Sequence, residues 1–164
     1  MRSDSQRTLV AVLSNPPLAA GQRTLRRVHL AAHLLDFDEI KITNLFALPS
    51  ASTGAISTLG ATLEGWNAAR PQLQASLDAC SAVLIAYGVS PPSGMARHNF
   101  QAQVEWLRLN ISERGLPTWR VGDGPRHPSR WQRWTYRNLP DLSFSDALRV
   151  SLVRDPRDNH LGIT

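Results

Sequence analysis

Short aliphatic runs alternate along the chain with longer stretches in which apolar residues recur every three or four positions. Thr8–Leu13 is β-branched and aliphatic on both faces, as a central parallel strand covered by helices would be, and Ser14-Asn15-Pro16-Pro17 stops it. From Thr24 to Asp36, Leu25, Val28, Ala31, Ala32, Leu34 and Leu35 follow helical spacing, with Thr24 as the expected cap. Ile40–Phe46 reads as a second strand, closed by a Pro/Ser/Thr/Gly-rich loop through Gly54; residues 55–65 give no clear pattern. Pro71–Ala79 reads as a helix with proline in its first turn, and Ala82–Tyr87 as a third buried strand ending at Gly88.

The spacing predicts a helix over Met95–Glu113, ended by Gly115, and a short fourth strand over Pro117–Val121. Phe144–Val153 is one more short element, and the charged end after it is expected to fray. Strands alternating with helices imply parallel pairing through right-handed crossovers. The expected fold is therefore a single three-layer α/β/α domain, residues 1–164, on a short, mainly parallel four-stranded sheet. Residues from about 140 form a C-terminal extension, partly flexible. In such sheets ligands bind beyond the carboxyl ends of the strands.

Composition narrows the classes. The only cysteine, Cys80, excludes an internal disulfide and a Cys-based metal site and points to a reducing compartment. No run approaches the roughly 20 apolar residues of a membrane span, and Met1–Thr8 lacks a signal peptide's apolar region, so a cytoplasmic location is expected. Net charge is +5, with Lys41 the one lysine among 18 basic residues. An arginine-rich surplus suits a polyanionic partner, through planar contacts to phosphate. A monomer is favoured, with no membrane, metal or cofactor implied.

Three polar islands stand at strand exits: Asn15-Pro16-Pro17 with Gly21–Arg27 behind it, Thr43-Asn44-Leu45-Phe46, and Arg126-His127-Pro128-Ser129-Arg130-Trp131. Each alone has a plain structural reading. Asn-Pro starts turns, and a His before Pro sits in loops. Asn44 within an apolar strand is less easily dismissed, because a buried amide needs several hydrogen bonds. His29 and His33, four apart, read as a half-buried helix face rather than as metal ligands. The run from Arg126 through Arg130, Trp131, Arg133, Trp134 and Tyr136 to Arg137 interleaves cations and rings as a nucleic-acid contact does. It equally describes a surface loop whose tryptophans pack inward.

Taken together, these segments resemble the uracil-DNA glycosylase superfamily. Ile42–Pro49 is similar to its second-strand motif, His127-Pro128-Ser129 to its second catalytic motif and Ser14–Pro17 to its first. Val83–Gly88 stands where the superfamily has its third strand and glycine. From Leu9 to Trp131 the chain looks closer still to the uncharacterised bacterial family DUF1643. That likeness rests on Asn15-Pro16-Pro17, Thr24-Leu25-Arg26-Arg27, Asn44-Leu45-Phe46, Gly60 with Gly65-Trp66-Asn67, Tyr87-Gly88 and His127-Pro128.

The resemblance implies a glycosylase-like protein acting on a damaged or modified base extruded from DNA. Asn15 and His127 would be catalytic, and Asn44, Pro16 and Tyr87 would bind the base. Arg23, Arg27, Ser129, Arg130, Trp131 and Arg133 would hold nucleic acid. The first motif carries no carboxylate, so two alternatives stand beside it: hydrolysis of a free nucleoside or nucleotide, and a non-catalytic nucleic-acid-binding module.

Overall fold

The computed structural model describes residues 5–17, 21–49 and 53–157. Residues 1–4 lie outside this set, and the charged end after Val153, for which fraying was expected, is described only as far as Arg157. The elements in chain order are β1 (Thr8–Leu13), α1 (Gln22–Leu34), β2 (Glu39–Asn44), α2 (Thr53–Leu59), α3 (Glu64–Asp78) and β3 (Ala82–Ile85). They continue with α4 (Met95–Glu113), β4 (Thr118–Val121), α5 (Pro128–Asn138), α6 (Phe144–Ser151) and β5 (Leu152–Arg154).

The sheet has five strands in the order β2-β1-β3-β4-β5, one more than expected. The first four pair in parallel, and β5 adds antiparallel to the edge of β4. The tail is therefore no loose extension up to Arg154: α6 and β5 are built in, with Ala147, Leu148 and Leu152 buried.

Period-two alternation splits the core between two faces. Val10, Val12, Val83 and Ile85 pack under Ile56, Trp66, Leu73, Leu77, Leu107 and Ile111 of α2, α3 and α4. Leu9, Ala11, Leu13, Ala82 and Leu84 pack under Val28, Ala31, Trp131 and Leu148 of α1, α5 and α6. Helices thus cover both faces, which is why β1 and β3 could be apolar throughout.

Element boundaries moved at several places: β2 is Glu39–Asn44 rather than Ile40–Phe46, so Asn44 ends the strand, and β3 stops at Ile85 rather than Tyr87. Gly21, not Thr24, occupies the cap position of α1, and Thr24 lies in its first turn. Pro71 sits inside α3 rather than near its start. It is exposed there, so the carbonyl that its missing N–H leaves unpaired can face water. The unassigned residues 55–65 hold most of α2 and the start of α3. The segment after His127, taken as a loop, is the helix α5, with Pro128 at its first position and its core contacts at Pro128, Trp131 and Thr135. α4 has the expected limits, and Gly115 follows it with φ +61°. Among the described residues no helix is long and apolar enough to cross a membrane.

Candidate functional site

The carboxyl ends of β1, β2 and β3 are level. Leu13 pairs with Asn44, and the Ala86 N–H donates to the Val12 carbonyl. Asn15 lies two residues beyond β1. β2 and β4 are three strands apart, about 14 Å at the usual spacing. The loop after β4 shortens this gap by folding back: the Gly88 N–H donates to the Pro125 carbonyl, which brings the approach to His127 beside the exit of β3.

His127 caps α5. Its Nδ1 accepts the Ser129 N–H at 3.2 Å and lies 2.9 Å from the Ser129 hydroxyl. An accepting Nδ1 carries no proton, so the neutral ring bears its hydrogen on Nε2. Burial, and after it the nearby Arg130 cation, hold the imidazole pKa below its ordinary value. His127 is thus a neutral donor at neutral pH.

Asn44 points, with Ile40 and Ile42, to the α1 side of the sheet. It is half-buried, and its amide takes no hydrogen-bond partner among the described residues. The Asn15 Nδ2 lies 3.5 Å from the Pro16 carbonyl, and both residues are half-buried.

α1 and α5 lie side by side and form a groove of about 360 Å³ lined by Arg23, Arg27, Ser129, Gln132, Arg133 and Tyr136. The positions 129, 132, 133 and 136 make one helical stripe of α5. Four of the expected nucleic-acid residues meet here. α1 and α5 carry six arginines between them and no carboxylate. Tyr136 is 73% exposed, an available ring beside those cations.

Other expected site residues fall elsewhere. Trp131 is fully buried and its indole N–H donates to the Arg126 carbonyl at 2.8 Å, so its ring cannot stack on a base. Arg27 is buried as well: Nη1 donates to the Pro128 carbonyl and Nη2 to Gln132 Oε1, both at 2.8 Å. It lines the groove but is already committed. Arg130 is exposed on the other side of α5, beside His127. Tyr87 belongs to the α4 face, stacked edge-on to Phe100, and the sheet separates it from Asn44.

His29 and His33 are exposed rather than half-buried, beside a second groove with Asp38 and Glu39 at the amino end of β2. Among the described residues no group of three or more His, Cys, Asp or Glu side chains could hold a metal ion.

Sequence reading missed Asp123. It is the only carboxylate in the loops that follow the four parallel strands, flanked by Gly122 and Gly124. Its Oδ1 lies 2.9 Å from the Arg126 guanidinium, and the side chain is largely exposed. Its lone placement between two glycines was a readable signal.

Comparison with family models, with curated proteins and with solved structures finds no match for this chain.

Proposed function

We propose that this domain binds a nucleobase-bearing polyanion at the carboxyl edge of its sheet, and that it cleaves the N-glycosidic bond of a damaged or modified base extruded from DNA. The fold proposed with it is the uracil-DNA glycosylase-like one. The observation that carries the reading is His127: a neutral ring with its N–H on Nε2, at the strand exits, beside a helix pair rich in arginine.

Breaking such a bond leaves a cation-like sugar and an anionic base. A fixed Nε2–H aimed at a base oxygen strengthens as that charge grows, a preorganised contribution of about 3–4 kcal/mol by analogy with acyl transfer. Asn15 would orient the attacking water without deprotonating it, and the unpartnered amide of Asn44 would read the base edge. Arg23 and Arg133 would neutralise phosphates, and extruding the base costs a few kcal/mol.

Incubating the protein with duplexes that carry modified bases, and measuring free base and abasic sites, tests this. Base release supports the glycosylase. Salt-dependent binding without release supports instead the non-catalytic module, which one observation favours: Asp123, the only carboxylate in the loops that follow the four parallel strands, is paired with Arg126.

A further inference from the structure

A second cluster of charge lies on the opposite face of the sheet, between α4 and the β4–β5 edge. Trp119 and Leu152 pack on the α1 side, so alternation turns Arg120 and Asp155 towards α4. Asp155 is 2% exposed, and its N–H donates to the Thr118 carbonyl. Arg108 of α4 reaches Asp155 Oδ2 at 3.4 Å and also lies beside the Tyr87 hydroxyl. Tyr87 follows β3 and Asp155 follows β5, so Arg108 spans β4 over the face that carries Arg120.

Among the described residues Asp155 pairs with Arg108 and accepts the Arg157 backbone N–H, and no carboxylate forms a salt bridge with Arg120. The Nε–H groups of Arg108 and Arg120 are both buried and have no hydrogen-bond partner among the described residues. Buried donors on a charged group are costly unless something accepts from them. A guanidinium offers Nε and Nη as a fork that matches two oxygens of a phosphate.

We propose that Arg108 and Arg120 form an oxyanion site for a phosphate dianion, either free phosphate or the terminal phosphate of a nucleotide. The site is separated by the sheet from His127 and does not depend on the glycosylase reading.

Inorganic phosphate is titrated into the full chain at constant ionic strength, followed by melting temperature and by the phosphorus resonance of the ligand. The wild type should show a saturable rise in melting temperature. Arg120→Gln and Arg120→Lys should each weaken phosphate binding about tenfold or more, since lysine keeps the charge but loses the fork. Arg120→Met should raise the melting temperature in chloride, by removing an unpaired buried donor, and should abolish the phosphate response. Arg149→Gln, which removes an exposed cation of α6 outside both sites, should respond like the wild type. Tighter binding of a 5′-mononucleotide than of phosphate would identify a nucleotide as the source, and equal binding would identify free phosphate. No saturable response in the wild type, or a response retained in Arg120→Met, overturns the proposal.

Discussion

Arg27 Nη1 donates to the carbonyl of Pro128 at 2.8 Å, across more than half the chain, and so ties α1 to the first turn of α5. Nη2 reaches Gln132 in the same helix, and the guanidinium lies over the Phe144 ring. Burial, with the Arg23 charge beside it, lowers its pKa, yet its two acceptors keep it charged. Arg27 therefore holds the histidine-bearing turn rather than a phosphate.

Replacing Arg27 by Met should cost about 2–4 kcal/mol, because two charge-assisted bonds are lost and the Pro128 carbonyl loses its donor. Denaturant unfolding measures this. Arg23→Gln and Arg133→Gln should leave stability nearly unchanged, and each should reduce the salt slope of DNA binding by about one. An Arg27→Met protein that stays stable while its salt slope falls would reverse these roles.

Gln103 is 1% exposed and organises the opposite face. Its Nε2 donates to the carbonyls of Leu45 and Trp66, at 2.9 and 2.8 Å, and its Oε1 accepts from Arg70 Nε at 3.0 Å. Gln103→Leu should destabilise by about 1–3 kcal/mol, since it strands two buried carbonyls. The segment after Asn44 should also exchange its amide hydrogens faster. Unfolding free energy and hydrogen exchange check both, and an unchanged midpoint would show that these carbonyls find water instead.

The pH dependence follows from His127. An unfolded histidine takes up a proton near its ordinary value, about 6.5, whereas the folded ring does so only at lower pH. The unfolded state thus binds more protons below that value, and stability falls as pH drops through the window between the two pKa values. Above the window the contribution is complete. Base release should be level between about pH 7 and 8, with its acid limb below the ordinary histidine range. Arg130→Gln should move that limb, and the ring's NMR titration, upward. A His127 titration at or above the ordinary value would contradict the capped, half-buried ring.

Much of the fold was legible because apolar periodicity records burial directly. The four parallel strands and α4 follow from runs such as Val83–Ile85 and the spacing of Phe100, Val104, Leu107 and Ile111. β5 was hidden because it is three residues long and only Leu152 of it is buried. α5 was misread because its arginines and tryptophans looked like a ligand-contacting loop. Its core stripe is sparse, and Trp131 serves packing rather than recognition.

The glycine–tryptophan segment that figured in the family resemblance also has a packing explanation. A Cβ at Gly65 would collide with the Phe46 ring, and the Phe46 and Trp66 rings pack at a tilt of 56° with centroids 4.7 Å apart. At the strand exits, Asn15, Asn44 and His127 were legible as polar residues beside turns. The side of the sheet each side chain faces was set by strand alternation, and that put Tyr87 on the face opposite Asn44.

The most direct test of the central claim is single-turnover base release from a modified duplex, with binding of the same duplex measured alongside, for the wild type and for His127→Ala. The wild type should release base, and the variant about 100- to 1,000-fold more slowly, the range for deleting one preorganised donor. Duplex affinity should be nearly unchanged, because the hydrogen bond strengthens only as charge builds on the leaving base. Release that is equally fast without the imidazole would contradict the role assigned to His127.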